Sequence, residues 1–244
     1  MLKKDWHASE FKTLVTLGES TTAGGWSSSP ERCWAVRLAA LINDMQTEPV
    51  ALVNAGIGAN VISTLSPAYE ESGKPAATER LQKHVLMHQP DLLVISYGLN
   101  DARGGTPVGL FATELERVLD AVRAECAPLI VLPGPYFMTD FSVGGTTWAQ
   151  ASIELFAAFN DLIAGVAAAR DCLYVDLLDA YGKAPWMVHY DGVHANDLGH
   201  RIVANRIFEV LAKNCSGLAL NTQAKERTAP RWRDESVLQG DYGY

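Results

Sequence analysis

The sequence lacks a long uninterrupted apolar run. No stretch of the 244 residues reaches 18 consecutive apolar side chains, the least that a membrane-spanning helix requires. Residues 1–11 contain two lysines but no apolar stretch after them, which argues against a secretory signal. We therefore expect a cytoplasmic protein with no membrane partner.

Positive charge is also scarce, and it is scattered along the chain. Lys and Arg number 20 against 28 Asp and Glu, which gives a net charge of -8 and a pI of about 5.2. The pair Lys3-Lys4 is the longest basic run. A protein with this charge has no general attraction for the phosphates of nucleic acids. We therefore expect no nucleic-acid partner.

Cysteine is rare, with four residues and no C-x-x-C pair. This spacing, in a chain without a recognisable signal, favours free thiols over disulfides. Hydrophobic residues make up 48% of the chain, which excludes a collagen-like or wholly disordered protein. A chain of this length buries roughly 70% or more of its unfolded surface. It therefore needs neither disulfides nor a structural metal to fold.

The chain does contain short apolar runs that alternate with helical patterns. Unbroken apolar runs are typical of strands buried on both faces, and such alternation predicts a parallel sheet covered by helices on both faces. Ser29-Pro30 suggests the start of the first long helix. The five runs are 14–17, 50–53, 92–95, 129–132 and 172–175, and the helical patterns are 34–45, 81–88, 111–122, 153–163 and 198–211.

Two segments depart from this alternation. Residues 133–147 are rich in Gly and aromatics and predict a long loop, in which Tyr136 and Phe137 are candidates for a wall of the substrate site. Residues 214–244 are polar and carry Trp232 between two arginines. We predict one catalytic domain over 1–213 and a tail over 214–244. The tail packs on the domain or on a neighbouring subunit, so a homo-oligomer through the tail is one expectation.

Polar residues follow several of the predicted strands, where ligands of open α/β sheets gather. Ser20 comes after the first run, and Asp191 and His194 come just before the last helix. A serine hydroxyl attacks a carbonyl only if a base removes its proton, and histidine is such a base near neutral pH. Asp191, three residues before His194, is placed to orient the imidazole ring. These residues predict nucleophilic acyl transfer.

An oxyanion also needs hydrogen-bond donors. The candidates are the backbone N–H groups of Ser20 and Gly56 and the side-chain amide of Asn100. Gly56 would let the backbone approach a substrate closely because it has no Cβ.

These residues also carry a family resemblance. The sequence resembles the SGNH hydrolases of the GDSL esterase/lipase superfamily, whose blocks occur here in the family's order between residues 18 and 194. The resemblance implies a three-layer α/β/α sandwich with a five-stranded parallel sheet, of flavodoxin-like type, and serine ester hydrolysis without metal or cofactor. It makes Ser20 the nucleophile, His194 the base and Asp191 the orienting acid, with Ser20, Gly56 and Asn100 as the oxyanion hole. The blocks are Gly18-Glu19-Ser20, Asn54-Ala55-Gly56, Gly98-Leu99-Asn100-Asp101 and Asp191-Gly192-Val193-His194.

One position departs from the family pattern. Glu19 stands where the family usually has Asp, so the bracing of the nucleophile turn is open to change. The G-x-S-x-G elbow of α/β-hydrolases is absent because position 22 is Thr22. A dinucleotide loop is also disfavoured, since position 61 is Val61 where a third glycine is needed.

Histidines cluster near the end of the domain, but the sequence predicts no metal site. His189, His194 and His200 lack the spacing of a zinc motif, and we expect His200 to be partly exposed on the last helix. His84 and His88 are four apart on a predicted helix with no third ligand in sight.

The predicted function is a serine esterase acting on short-chain acyl or acetyl esters, including those of carbohydrates. The expected partner is accordingly a small-molecule or carbohydrate ester. Two alternatives stay open at this point: a lipase or thioesterase for longer acyl chains, and a catalytically idle glycan-binding protein on the same fold.

Overall fold

The computed structural model describes residues 3–228 and 234–244, and within these ranges five parallel strands form one sheet. Their order across the sheet is β2-β1-β3-β4-β5, so the strand order reverses beside β1. Every pairing is parallel. The strands are β1 (Thr13–Gly18), β2 (Ala51–Gly56), β3 (Leu92–Ser96), β4 (Leu129–Pro133) and β5 (Leu173–Val175).

Helices connect the strands, as parallel pairing requires. The α-helices of the described residues are α1 (Ser20–Ala23), α2 (Trp34–Asn43), α3 (Tyr69–Ser72), α4 (Ala77–His84), α5 (Leu99–Arg103), α6 (Val108–Glu125), α7 (Gly145–Trp148), α8 (Ile153–Ala169), α9 (Leu177–Tyr181), α10 (Asp197–Asn214), α11 (Leu220–Thr228) and α12 (Ser236–Tyr242). Short 3-10 turns span Pro30–Arg32, Leu86–His88, Pro185–Met187 and Ser216–Ala219.

The long helices cover the sheet in two layers. Helices α2 and α10 pack together on one face, and α4, α6 and α8 pack on the other. The residues of β3 and β4 are buried throughout, and a continuous apolar core surrounds them. The alternation predicted a parallel sheet with helices on both faces, and the resemblance implied a three-layer α/β/α sandwich; both are confirmed.

Three local expectations were wrong. Strand β2 lies at the edge of the sheet, so Ala51 is exposed rather than buried on both faces. The pattern 81–88 is not one helix, because α4 ends at His84 and a 3-10 turn follows. Ser29 makes no capping hydrogen bond, and Pro30 begins a separate 3-10 turn before α2.

The segment after α10 begins by packing on the N-terminal residues. Gly217 N donates to His7 O, and Asp5 accepts hydrogen bonds from Ser216. A side chain at position 217 would overlap the Ser9 backbone, so only glycine allows this approach. Beyond it, α11 and α12 have no buried residues. Trp232 lies outside the described residues, and the domain boundary and the subunit contact of the tail stay predictions.

Two further properties concern the described part of the chain. None of its helices is both long enough and apolar enough to cross a membrane. All four cysteines are free thiols.

Candidate active site

The nucleophile turn begins where β1 ends. A side chain at Gly18 would overlap Thr22 Oγ1 and crowd the carbonyl oxygen of Ser96, so a glycine is needed for the chain to turn there. Ser20 then opens the single helical turn α1, which ends at Gly24 in a left-handed conformation (φ 79°). The Ser20 side chain is thereby held at the carboxyl end of a central strand, where sites of open parallel sheets form.

Asp191 and His194 lie on a tight loop just before α10. The loop is closed by the His189 N–H, which donates to His194 O at 2.7 Å, and Gly192 takes a left-handed conformation (φ 74°) within it. Asp191 Oδ1 accepts the backbone N–H groups of Val193 at 2.9 Å and His194 at 3.0 Å. These two hydrogen bonds fix the position of the Asp191 carboxylate beside the imidazole.

The three predicted catalytic side chains form one hydrogen-bonded chain. Ser20 Oγ lies 2.9 Å from His194 Nε2, and His194 Nδ1 lies 2.6 Å from Asp191 Oδ2. This is the arrangement in which a base can accept the hydroxyl proton while a carboxylate orients it. The structure therefore brings together Ser20, Asp191 and His194, although 174 positions separate the first from the last.

The environment of His194 and Asp191 determines the charge of each side chain. Burial lowers the pKa of His194 below its usual 6.5, and hydrogen bonding and attraction from Asp191 oppose that effect only in part. Burial by itself would raise the pKa of Asp191, but the hydrogen bonds from His194 and Val193 dominate and lower it to about 2. At neutral pH the pair is thus a carboxylate beside a neutral imidazole, as a general base requires.

Trp26 covers the imidazole of His194, a contact that the sequence did not indicate. Its indole ring is stacked on the His194 ring, with centroids 3.4 Å apart and planes 5° apart. No spacing rule links the two residues, because Trp26 lies in the loop after α1 while His194 precedes α10. The contact limits the access of water to one face of the base.

Asn100 lies in α5. The residue before this helix is Gly98, whose backbone conformation (φ 124°) favours glycine. The Asn100 amide Nδ2 donates to Asn60 O at 3.2 Å, and its Oδ1 accepts from Arg103 at 3.4 Å. An amide nitrogen carries two hydrogens, so Asn100 retains a second donor for a ligand.

The Gly56 N–H has a partner in this structure. It donates to Asn54 Oδ1 at 3.1 Å, so here it is not free to bind an oxyanion. A Cβ at this position would overlap the backbone of Thr22 and Ala23. The glycine is needed because the end of β2 packs directly against the nucleophile helix.

Glu19 joins the nucleophile turn to the Asn100 turn. Its buried carboxylate accepts the backbone N–H groups of Gly98 (2.8 Å), Leu99 (3.1 Å) and Asn100 (3.0 Å). Burial, reinforced by the nearby charge of Asp101, raises the pKa of Glu19. The longer side chain found here in place of Asp therefore still braces the turn, by capping α5.

Arg80 is a second brace that the sequence did not indicate. Its guanidinium is buried beneath the strand ends. It donates to two backbone carbonyls, Ala55 O (2.6 Å) and Gly18 O (3.0 Å). It also donates to two side-chain oxygens, Asn60 Oδ1 (3.0 Å) and Tyr97 Oη (2.6 Å). It thus links the turns that follow β1, β2 and β3. A lone arginine in a helical pattern gives no sequence signal for such a role.

The predicted aromatic wall does not form at the triad. Tyr136 is buried, and its hydroxyl hydrogen-bonds Ser96 Oγ at 3.0 Å beneath the site. Phe137 lines a separate cavity of about 540 Å³ with Ile153 and Leu178, which contains no triad residue. The wall was wrong because a loop after β4 turns inward and contributes to the core.

The remaining histidines do not form a metal site in the part of the chain that the structure describes. His200 is buried rather than partly exposed, and its Nδ1 accepts the backbone N–H of Trp34 at 3.3 Å. Burial lowers the pKa of His200 to about 4. It therefore joins α10 to α2 as a neutral side chain.

An open groove of about 690 Å³ lies beside Trp26, and none of the three triad residues lines it. Trp26, which covers His194, lines one part of it, and Tyr190, the residue before Asp191, lines another. The full lining is Gly25, Trp26, Ser27, Ser28, His189, Tyr190, Asn196, Asp197 and Leu198.

Comparisons with known proteins bear on this site. A family model described as the GDSL-like Lipase/Acylhydrolase family matches residues 16–202. No curated protein matches the chain.

Similar solved structures include a lipase/acylhydrolase from Enterococcus faecalis, with 24% identity, 83% of this chain and 96% of that chain covered, and a TM-score of 0.65. An acetylxylan esterase from Geobacillus stearothermophilus gives 17% identity, 84% and 95% coverage and a TM-score of 0.63. A carbohydrate acetylesterase family member from Sinorhizobium meliloti gives 20% identity, 83% and 98% coverage and a TM-score of 0.60. At these identities the likeness concerns the fold.

Proposed function

The chain belongs to the GDSL-like lipase/acylhydrolase family and is an ester hydrolase; from this premise we propose that it works through an acyl-enzyme on Ser20. The observation that carries the proposal is the continuous hydrogen-bonded chain from Ser20 Oγ through the His194 ring to Asp191. No metal or cofactor is needed for this chemistry, because the serine, the base and the acid supply every proton transfer.

The reaction follows from the geometry in two halves. His194 Nε2 takes the hydroxyl proton as Ser20 Oγ bonds to the ester carbonyl carbon, whose π electrons move onto the oxygen. When the carbonyl re-forms, the bond to the alcohol breaks and Nε2–H protonates the departing alkoxide. Water then repeats the sequence on the acyl-enzyme, giving the carboxylic acid and regenerating Ser20. Throughout, Asp191 stabilises the imidazolium without itself accepting the proton.

For the oxyanion we propose two of the three donors that the sequence predicts. Asn100 Nδ2 and the Ser20 N–H remain as the proposed donors, since the Gly56 N–H is engaged by Asn54 Oδ1. The first N–H groups of a helix have no partner within it, and Ser20 is the first residue of α1. Glu19 and Arg80 hold the turns that carry these donors.

For the substrate we propose short acyl esters, above all acetyl groups on carbohydrates. Neither the apolar cavity beside Phe137 nor the groove beside Trp26 is lined by a triad residue, but the groove is lined by Trp26, whose ring covers His194. The other side chains of that groove are mostly polar or aromatic. Two of the similar structures are esterases of acetylated carbohydrates by name, which supports the same choice by analogy.

The test compares wild type and Ser20→Ala on nitrophenyl esters of increasing acyl length and on acetylated sugars. We expect turnover to be highest for acetyl esters and to fall by several orders of magnitude in Ser20→Ala, since triad deletions cost up to about a millionfold. Ser236→Ala, at an exposed position on α12, is the matched control and should retain wild-type rates.

Other results would lead to other functions. Wild-type rates in Ser20→Ala would remove Ser20 as the nucleophile. Best turnover on long acyl chains would favour the lipase or thioesterase. Failure of a serine-reactive phosphonate to label Ser20 in the folded protein would favour an idle glycan-binding protein.

A further inference from the structure

We propose that the groove beside Trp26 binds the alcohol part of the ester, and that it takes a pyranose ring stacked on Tyr190. This inference rests on the proposed function and deepens it, because it assigns the substrate class to particular residues. It concerns the part of the active site that the departing alcohol occupies. The fold alone does not indicate which residues form that part.

The chemistry places the alcohol beside His194. The imidazole must protonate the departing alkoxide through Nε2, so the alcohol oxygen has to lie within hydrogen-bond reach of that atom. The Trp26 indole is stacked on the same imidazole at 3.4 Å, and Trp26 also lines the groove. The groove therefore begins one ring thickness from the group that protonates the leaving alcohol. Its volume of about 690 Å³ falls in the range of small-molecule sites.

Exposed aromatic rings surround this position. Tyr190 is 95% exposed, Trp186 is 68% exposed and Trp26 is 36% exposed. Tyr190 lies between His189 and the catalytic Asp191, and Trp186 is held close by because its carbonyl accepts Asn196 Nδ2 at 2.8 Å. Single exposed aromatic side chains are common, but two of them lining one groove, as Trp26 and Tyr190 do, are typical of a binding site. The C–H face of a pyranose suits such a ring, because its weakly positive hydrogens meet the negative face of the π system.

The charges of the groove favour a neutral polyol over an anion. The Asp197 carboxylate accepts Ser28 N (2.8 Å) and Ser28 Oγ (2.6 Å) and pairs with Arg32 at 3.0 Å. Arg32 is thus already paired, and a second anion in the groove would meet the field of Asp197 and Asp191. Hydroxyl groups of a sugar can instead exchange hydrogen bonds with the polar side chains of the lining, such as Ser27 and His189.

The experiment compares two ester classes in wild type, Tyr190→Ala and Tyr190→Phe. The probes are 4-nitrophenyl acetate and acetylated xylo- and manno-oligosaccharides. In Tyr190→Ala we expect kcat/KM for the oligosaccharides to fall about tenfold more than kcat/KM for nitrophenyl acetate, mainly through KM, since the stacking surface is lost. Tyr190→Phe keeps that surface and should restore most of the difference. Tyr242→Ala, which removes an exposed tyrosine from α12, is the matched control and should behave as wild type.

Binding can be measured apart from catalysis. In Ser20→Ala protein, titration with deacetylated oligosaccharide should change the tryptophan fluorescence, and the added Tyr190→Ala change should weaken that response about tenfold.

The outcomes separate the two proposals. Equal losses on both ester classes in Tyr190→Ala, or wild-type cleavage of nitrophenyl acetate without cleavage of any sugar acetate, would overturn the pyranose site and leave the esterase intact. Absence of all ester cleavage by wild type would overturn the proposed function itself.

Discussion

The indole of Trp26 lies flat on the imidazole of His194, with 3.4 Å between the ring centroids and 5° between their planes. The stacked ring removes one face of the base from water, and burial is the largest cause of the lowered pKa of His194. It also confines the imidazole to the plane in which Nδ1 meets Asp191 and Nε2 meets Ser20. We therefore expect Trp26 to position His194 for its proposed role as the base.

Replacing Trp26 should change the pH profile of the enzyme. The base works only when neutral, so activity is lost as pH falls through the pKa of His194. Trp26→Ala exposes the ring to water, which should raise this pKa and move the acid limb of kcat/KM to higher pH. Loss of orientation should also lower kcat roughly tenfold. Initial rates on nitrophenyl acetate between pH 4 and 8 would measure both effects.

Two variants separate positioning from general damage. Trp26→Phe keeps an aromatic face on His194 and should retain most of the activity. Trp6→Ala removes a partly buried tryptophan that contacts Lys4 (3.8 Å) in a pocket at the start of β4, which includes no triad residue, and should leave the acid limb in place. An acid limb that does not move in Trp26→Ala would refute the role.

Asn100→Ala tests the oxyanion donor. Removing its amide should lower kcat by about 10²–10³-fold with little change in KM, because the bond strengthens only as charge develops on the oxygen. Steady-state kinetics on nitrophenyl acetate gives the two constants. Asn205→Ala, at an exposed position on α10, is the matched control. A change confined to KM would mean that Asn100 binds the ground state instead.

Gly56→Ala should act on stability, because the new methyl group overlaps the backbone of the nucleophile helix. Overpacking of this kind costs about 1–3 kcal/mol, which chemical denaturation can resolve. Gly58→Ala is an internal control two residues away, since a Cβ there meets open space. Equal unfolding free energies for the two variants would contradict the close packing described for Gly56.

Glu19→Gln should loosen the link between the nucleophile turn and the Asn100 turn. The amide nitrogen can no longer accept a backbone N–H, and leaving a buried donor unpaired costs about 1–3 kcal/mol. The expected result is a lower free energy of unfolding together with a lower kcat. Glu226→Gln on α11 makes the same chemical change at an exposed position and should alter neither.

His200 should make the protein less stable in mild acid. Its pKa is about 4 in the folded protein and 6.5 unperturbed, so the unfolded state binds a proton first as pH falls. Stability is therefore complete above pH 6.5 and declines toward pH 4, by an amount on the order of 3 kcal/mol. His200→Asn keeps an acceptor for Trp34 N but does not titrate, so denaturation curves across this range should lose that decline. His88→Asn should keep it.

The architecture could be predicted from the sequence because local patterns of residues determine it. Apolar runs of strand length and helical spacings arise within a few residues of one another, and a parallel sheet is the arrangement that buries them. The position of a strand within the sheet is not local, which is why β2 was expected to be buried on both faces although it lies at the edge. The same reason explains why His200 was expected to be partly exposed.

The sequence predicts those site residues whose chemical type the proposed reaction requires. It predicts less well the residues whose contacts in the site depend on tertiary packing. Ser20, Asp191 and His194 follow from the requirements of acyl transfer and from the ends of the predicted strands. The Gly56 N–H is taken by a side chain two residues away, a choice that depends on the twist of the chain. Trp26 and Arg80 contact residues far along the chain, and no pattern within their own segments indicates it.

The separation of 174 positions between the nucleophile and its base has a biosynthetic consequence. A ribosome makes the serine turn well before the histidine loop, so under the proposed mechanism no nascent fragment that stops before that loop can hydrolyse an ester. Ester hydrolysis would therefore show that the two segments had come together. Two complementary fragments of the chain would be silent apart, and regained turnover would count the molecules in which they had reassembled.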